Sequence, residues 1–159
     1  MLREAFSAAL AQLLGARSPL VIATVTNGRS DDLAAPTDVF GLCWTFVPIV
    51  AAPGERVERL ERLHRDLTAT EAHARYPVEQ MFAGVAPVAS FNFVNFHNAV
   101  RGGDGLAIAQ GESFHRFHFP LNFNIRQLDG FVVKVSWSED VHDRRLASEL
   151  IEAFTAELG

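Results

Sequence analysis

Two short runs near the end of the sequence are joined by a turn that commits them to pair as a hairpin. Residues 121–126 alternate apolar and polar side chains, residues 131–137 are rich in valine, and Asp129-Gly130 lies between them. Asp-Gly is preferred in tight hairpin turns, because both central residues of such a turn need a positive φ. Any fold proposed for the chain must therefore include two adjacent antiparallel strands.

Helical and extended patterns follow one another through the rest of the chain. Apolar residues recur at helical spacing in residues 2–14, 55–74 and 143–158, and Pro77 and Gly84 bound a further short helix at residues 77–82. Runs rich in β-branched residues predict strands at residues 20–26, 39–50 and 88–96. Gly15 is placed to end the first helix, and we expect the second strand to close near Pro48. The order predicts an α/β (α+β) fold, a mixed β-sheet layered with helices.

Two of the helical segments have distinct apolar and charged sides. The apolar stripe of the second segment consists of Val57, Leu60, Leu63 and Leu67. Its charged residues, which we expect to face solvent, are Glu58, Arg59, Glu61, Arg62 and Arg65. The last helix is predicted to bury Leu146, Leu150, Ile151 and Phe154.

Length and charge limit the classes of function. The 159 residues fit a single domain, residues 1–159, and a net charge of -5 repels a polyphosphate, so we expect no nucleic-acid partner. The longest apolar run, residues 39–52, is interrupted by Gly41, Thr45 and Pro48 and is shorter than the roughly 20 residues of a membrane-spanning helix. We expect no membrane attachment. The only cysteine is Cys43 and no basic leader precedes Glu4, so the predicted location is the cytoplasm.

Known catalytic and metal-binding motifs do not occur in the sequence. His115 and His118, with His97 and Glu112 nearby, suggest a metal site, but an extended segment would turn the first two to opposite faces. We therefore predict no metal. Ser113 lies in no nucleophile elbow, and Cys43 in an apolar strand is expected to act as a small buried hydrophobe. No catalytic residue is assigned.

One segment is unusually rich in amides. Residues 91–98 contain three phenylalanines, three asparagines and a histidine, and Asn122, Asn124 and Arg126 give a second polar strand face. Amides that face a hydrated channel would hydrogen-bond an amide-rich ligand, while the phenylalanines anchor the other side of the strand in the core. The alternative is that these are ordinary solvent-facing strand positions.

Several short motifs occur in the order seen in one known family. They are the turn Val25-Thr-Asn-Gly-Arg29, the strand Gly41-Leu-Cys-Trp-Thr-Phe-Val-Pro48, the loop His73-Ala-Arg-Tyr-Pro-Val-Glu79, the pair Phe91-Asn92 and the segment Phe119-Pro-Leu-Asn-Phe123. Together they resemble the C-terminal lobe of condensation domains from non-ribosomal peptide synthetases, which have the chloramphenicol-acetyltransferase-like fold. The chain departs from the family pattern at Thr45, Phe46 and Ala74, where Asn, Thr and Gln are usual.

The resemblance implies half of a two-lobed transferase of antibiotic or secondary-metabolite biosynthesis. Condensation domains form amide bonds between aminoacyl or peptidyl thioesters carried on peptidyl carrier proteins, with a His-His-x-x-x-Asp-Gly motif in the N-terminal lobe. This sequence contains no His-His. We therefore expect the N-terminal lobe to be absent from these residues and the isolated chain to be inactive. The implied partners are that lobe and the carrier proteins; no cofactor is bound directly, because the phosphopantetheine arm belongs to the carrier.

The resemblance also implies a role for specific side chains. This lobe would form a wall of the substrate tunnel, with Gln80, Asn92 and Asn95 hydrogen-bonding the pantetheine arm or the aminoacyl amide, and with Trp44 and Thr45 on a lining strand. Two alternatives remain open. One is a non-catalytic binding or assembly module that covers its exposed strands by forming a homodimer. The other is an acyltransferase lobe that uses acyl thioesters.

Overall fold

A computed structural model describes residues 1–28, 43–71, 73, 76–94, 118–127 and 130–159. Within these residues the chain forms the helices α1 (Leu2–Leu13), α2 (Arg56–Glu71), α3 (Val78–Met81) and α4 (Arg144–Leu158). The strands are β1 (Leu20–Asn27), β2 (Trp44–Ala51), β3 (Ala89–Val94), β4 (Leu121–Gln127) and β5 (Phe131–Trp137). These bounds confirm the predicted element order, while residues 39–42, 72, 74, 95–96 and 128–129 of the predictions lie outside the described residues. Gly15 follows α1 with φ +57, as its predicted role requires.

The five strands form one mixed sheet in the order β2-β1-β3-β4-β5. β1 and β3 are parallel, as are β3 and β4, whereas β2 and β5 pair antiparallel with their neighbours. The predicted hairpin is confirmed, with Gln127 opposite Phe131. The predicted mixed sheet layered with helices is therefore the observed architecture.

Pro48 does not end its strand, contrary to the sequence prediction. β2 continues through Pro48, which pairs with Ala23, to Ala51. β2 is an edge strand of the described sheet. Proline lacks an amide hydrogen, and an edge strand tolerates this because one of its sides has no neighbouring strand to bond.

An aromatic cluster lies between the sheet and the two helices α1 and α4. Phe6 of α1 is 4.6 Å from Phe123 and 5.3 Å from Phe91 between ring centroids, and Phe154 of α4 is 5.0 Å from Phe123. All four side chains are almost completely buried. Because side chains alternate along a strand, Phe91, Phe123 and their neighbours define a core face of the sheet, opposite a second face.

In helix α2 the buried and exposed side chains differ from the sequence prediction. Val57, predicted to be buried, is 66% exposed, while Leu60, Leu63 and Leu67 are only partly buried. Arg59, predicted to face solvent, instead reaches the buried Glu4 of α1. The helix packs mainly along the edge strand β2, so its apolar stripe is narrow and a neighbouring charged position is drawn inward.

An ionic cluster joins α2 to α1 and α4. Arg59 Nε donates to Glu4 Oε1 over 2.7 Å, Nη2 lies 3.0 Å from Glu157 Oε2, and Nη1 donates to the carbonyl of Gly54 over 2.9 Å. Glu4 is only 2% exposed, and its Oε2 receives no hydrogen bond. A buried carboxylate is costly unless it is paired, so Arg59 compensates a charge that the core would otherwise exclude.

The helix α4 buries a narrower stripe than its sequence suggests. Ala147, Leu150 and Phe154 are buried against α1 and the sheet, in agreement with helical spacing. Ile151 is 40% exposed, so its predicted burial is wrong. It follows Leu150 by one residue, a turn of about 100° around the helix, which carries it away from the contact line.

Asp143 begins α4 as a capping residue, because its Oδ1 accepts a hydrogen bond of 2.9 Å from the amide of Leu146. Replacing Asp143 by alanine leaves that amide without its partner, so we expect a loss of about 1 kcal/mol in the free energy of unfolding. Urea denaturation measures it. Asp140→Ala, in the exposed turn before the helix, is the control and should change stability by less than half as much.

Candidate functional site

The second face of the sheet, opposite α1 and α4, carries a row of amide and hydroxyl side chains. Strand register places Ser90 beside Asn122 and Asn122 beside Ser136, and one step further it places Asn92 beside Asn124 and Asn124 beside Lys134. Paired residues of neighbouring strands point to the same side of a sheet. These six residues form one continuous polar surface across β3, β4 and β5, named here the amide face.

The centre of the amide face is a fixed hydrogen-bonded group. Ser90 Oγ donates to Asn122 Oδ1 over 2.6 Å, and Asn122 Nδ2 donates to the carbonyl of Phe119 over 3.2 Å. Ser90 is 4% exposed and Asn122 3% exposed. Buried polar groups need partners, so this chain of bonds holds the start of β4 in a defined position next to β3.

Aromatic side chains border the amide face on the side of β2. Trp44 and Phe46 meet edge to face with their centroids 5.5 Å apart, and Phe46 meets Phe119 in the same way at 5.0 Å. Trp44 is 51% exposed. A row of amides bordered by aromatic rings combines hydrogen-bonding groups with an apolar surface, which is the usual composition of a small-molecule binding surface.

The opposite border of the amide face is cationic. Lys134 of β5 and Arg126 of β4 are both exposed, and Arg126 pairs in register with Val132. Both therefore point to the same side of the sheet as Asn124. These two charges would attract an anionic group toward this border of the surface.

The structure brings together some of the sequence-predicted site residues and separates others. Asn92 lies on the amide face, and the register of β2 with β1 turns Trp44 toward the same side. Thr45 pairs with Thr26 and points to the core face instead. Gln80 is an exposed residue of α3. Asn95 lies outside the described residues.

Other residues of the surface were not singled out as site residues from the sequence. Ser90, Ser136 and Lys134 join the amide face only through strand pairing. The alternation of apolar and polar residues in 121–126 predicts that Asn124 lies on a polar strand face. The register that aligns it with Asn92 arises from pairing between segments distant in sequence, which local patterns do not reveal.

A second unusual charge, Arg3, lies in the first turn of α1. Its Cζ is 5.6 Å from the centroid of Phe91, and its buried Nε receives no partner. Burial lowers the pKa of Arg3, because removing a guanidinium from water disfavours the charged form. Arg3 lies over the core face and so does not belong to the amide face.

Metal binding has no candidate in the part of the chain that the structure describes, since no three His, Cys, Asp or Glu side chains there group closely enough to hold an ion. Of the histidine cluster considered from the sequence, His97, Glu112 and His115 lie outside the described residues. Among the helices described, none has the length and apolar character to cross a membrane.

Known proteins match this chain in structure and not in sequence. No family model and no curated protein sequence matches the chain. Solved structures match it along nearly its whole length. The epimerization domain from the third module of tyrocidine synthetase B matches with a TM-score of 0.69 at 16% identity, over 99% of this chain and 40% of that one. The starter condensation domain of rhizomide synthetase gives 0.71 at 14% identity, over 98% and 40%.

A further neighbour is a complex of the X-domain and OxyB from teicoplanin biosynthesis, with a TM-score of 0.70 at 15% identity, over 99% of this chain and 38% of that one. The fold of this chain is thus the one seen in part of these epimerization and condensation domains. The chain spans about 40% of the length of these neighbours. In its fold it is half of a chloramphenicol-acetyltransferase-like domain, which confirms the structural part of the resemblance found in the sequence.

Proposed function

We propose that this chain is the C-terminal lobe of a condensation-type domain that forms amide bonds between carrier-bound aminoacyl or peptidyl thioesters. The observation that supports this most is the structural match over 98–99% of the chain to 40% of an epimerization domain and of a starter condensation domain. The ordered sequence motifs, from the turn at Asn27-Gly28 to the pair Phe91-Asn92, agree with the same assignment.

The proposed role of the lobe is to supply one wall of the reaction tunnel. Asn92 and Asn124 are half-buried neighbours on the amide face, and each offers a donor and an acceptor. A pantetheine arm contains two amide groups, so a row of side-chain amides matches its hydrogen-bonding pattern. The cationic border at Arg126 and Lys134 would attract the phosphate at the end of that arm.

The chemical step belongs to the partner lobe in this proposal. The second histidine of its His-His-x-x-x-Asp-Gly motif would position or deprotonate the acceptor amine, which attacks the donor thioester carbonyl and releases the donor carrier's thiol. This lobe contributes orientation: the Ser90–Asn122 bond ties β3 to β4, and the side chains of the amide face would hold the thioester arm where the amine reaches it.

The test is a condensation assay on the intact polypeptide that carries this segment. Donor and acceptor thioesters are loaded on carrier proteins, and the peptide product is measured by mass spectrometry. The double variant Asn92→Ala with Asn124→Ala should lower turnover about thirtyfold, because two hydrogen bonds of roughly 1 kcal/mol each are lost. The melting temperature should fall little, since both side chains are only half-buried.

Gln127→Ala is the matched control for this assay. Gln127 carries an exposed amide on the same strand as Asn124 but on the opposite side of the sheet. Its removal should leave turnover unchanged. Equal turnover in the double variant and the control would show that the amide face is not part of the tunnel. An intact polypeptide that gives no product from any loaded pair would contradict amide formation itself.

A second candidate function is a binding or assembly module without chemistry. It is favoured by exposed apolar residues on the sheet, with Trp44 and Val132 each 51% exposed and Phe131 58% exposed. One structural neighbour comes from a complex of the X-domain and OxyB, so a chain with this fold occurs in a protein–protein complex. Sedimentation at increasing protein concentration separates the candidates, because a self-associating module gains mass and a lobe awaiting a different partner does not.

A further inference from the structure

Two strands, β2 and β5, form the edges of the sheet in the part of the chain that the structure describes. Each pairs antiparallel with its single neighbour there, β1 or β4. In an antiparallel pair, every second residue bonds to the neighbour through both its backbone groups, and the residues in between point theirs away. The position of these bonds therefore shows which amides and carbonyls each edge offers to a further strand.

The outward side of β2 is interrupted by a proline. The amide of Gly28 donates to the carbonyl of Cys43 over 2.7 Å, in the register of the β1–β2 pair, so the odd-numbered residues of β2 bond to β1. The even-numbered ones, including Pro48, point outward, and proline has no amide hydrogen to offer. The helix α2 also packs along this strand. A further strand therefore cannot form a continuous ladder on β2.

The outward side of β5 is uninterrupted. The amide of Ser138 donates to the carbonyl of Pro120 over 2.8 Å, one step beyond the pair of Trp137 with Leu121. Even-numbered residues of β5 therefore bond to β4, and the odd-numbered residues have outward amides and carbonyls: Phe131, Val133, Val135 and Trp137. None of the four is a proline, so each offers both a donor and an acceptor.

The side chains of β5 are typical of a strand that pairs with another. Valine and aromatic residues make up most of it, and Phe131 is 58% exposed and Val132 51% exposed. Natural proteins usually protect an edge strand with proline, a bulge or several charges, whereas β5 carries only Lys134. Its backbone groups and its side chains both favour the addition of an extended segment.

Charge favours an acidic segment over a second copy of this chain. A two-fold antiparallel pair that uses every outward residue of β5 is centred on Lys134, which would then lie opposite its own copy, and like charges in that position are destabilising. Arg126 is exposed on the same side of the sheet as Lys134. Glu139 and Asp140, exposed just beyond the end of β5, would repel acidic residues from that end. An acidic residue is therefore best placed opposite Lys134 or nearer the start of the strand.

We propose that β5 is a docking strand for an extended acidic segment of a partner protein, which adds to it antiparallel as a further strand of the sheet. A carboxylate of the segment would pair with Lys134, and the residues on either side would exchange backbone hydrogen bonds with Val133 and Val135. Apolar residues of the segment would cover Phe131. This interaction does not depend on amide formation by the lobe.

The test is a titration of the purified protein into the fluorescein-labelled peptide Val-Thr-Val-Glu-Val-Glu-Val, followed by fluorescence polarisation. In antiparallel pairing its first glutamate lies opposite Lys134 and its second opposite Val132. We expect saturable binding with a Kd on the order of 10 μM. Methylating the backbone amides of the two valines that flank the first glutamate removes two hydrogen bonds and keeps every side chain, so binding should weaken about thirtyfold or more.

A charge exchange distinguishes docking at β5 from general attraction. Lys134→Glu should weaken binding of this peptide about tenfold and strengthen binding of the same peptide with lysine at both glutamate positions. Arg65→Glu, the matched control, makes an equal change of charge at an exposed position of α2 and should alter neither. Thermal melting confirms that each variant is folded. Equal effects of the two substitutions, or binding that survives amide methylation, would contradict strand addition.

Hydrogen exchange identifies the strand that is occupied. In the free protein the outward amides of Val133 and Val135 should exchange faster than the amides of Lys134 and Ser136, which bond to β4. The acidic peptide should slow the outward amides. Slowing confined to residues outside β5 would overturn the proposal. So would outward amides already slow in a protein that sediments as a dimer, because a second copy would then occupy the edge.

Discussion

Replacing Phe123 by alanine should lower the free energy of unfolding by about 3–5 kcal/mol, the usual cost of removing a buried aromatic side chain. Phe123 is fully buried and contacts Phe6 of α1, Phe154 of α4 and the neighbouring strand residue Phe91. Its loss opens a cavity where both helices meet the sheet. Domains of this size are stable by only about 5–15 kcal/mol, so this variant should unfold at markedly lower denaturant concentration.

The matched control is Phe131→Ala on the adjacent strand β5. Phe131 is 58% exposed, and the ring of Phe93 lies 6.4 Å from it between centroids. Little apolar area returns to water when it is truncated, so the expected loss is below about 1 kcal/mol. Guanidinium denaturation of both variants gives the comparison, and similar losses at the two positions would contradict the aromatic cluster as the centre of the core.

The helices and strands can be predicted from the sequence alone, because each depends on local patterns. The alternation in residues 121–126, together with Asp129-Gly130, predicted the β4–β5 hairpin, and the spacing of apolar residues predicted α1 and α4. Capping and turn residues act within a few positions, so their signals are local. Pro48 misled the prediction because its effect depends on whether the strand is at an edge, which only the sheet order reveals.

The candidate site was predicted only in part, for a physical reason. Alternation identifies which residues of one strand share a side, so Asn122 and Asn124 were recognised as a polar face. The position of Asn92 beside Asn124 depends on parallel pairing across a long connection, and a shift of one residue would turn either side chain to the other face. Thr45 shows the same sensitivity, since it neighbours Trp44 in sequence yet points to the opposite side.

Arg59 shows how tertiary structure overrides a helical pattern. Its position among Glu58, Glu61 and Arg62 is typical of the solvent-facing side of an amphipathic helix. Glu4 is likewise an ordinary first-turn residue of α1 in the sequence. Each becomes unusual only when α2 packs beside α1 and the two side chains meet at 2.7 Å.

Replacing Arg59 by methionine should therefore destabilise the protein strongly, by about 3–5 kcal/mol, because it leaves Glu4 buried and without a counter-charge. Methionine keeps an unbranched apolar stem without the guanidinium, so the effect reports the charge more than the packing of the stem. The exposed pair Arg145–Glu149 of α4 provides the control, and Arg145→Met should leave stability unchanged. Urea denaturation at neutral pH gives the free energy of unfolding of the original protein and of the two variants.

A double variant separates the cost of an orphaned charge from the net contribution of the pair. With Arg59→Met and Glu4→Leu combined, no buried charge remains, and Glu157, which is 27% exposed, stays in contact with water. Buried ion pairs replaced by apolar residues are often neutral, so stability should return to within about 1–2 kcal/mol of the original protein. If the double variant stays as unstable as Arg59→Met alone, the guanidinium stabilises the three-helix junction through Gly54 and Glu157 rather than by neutralising Glu4.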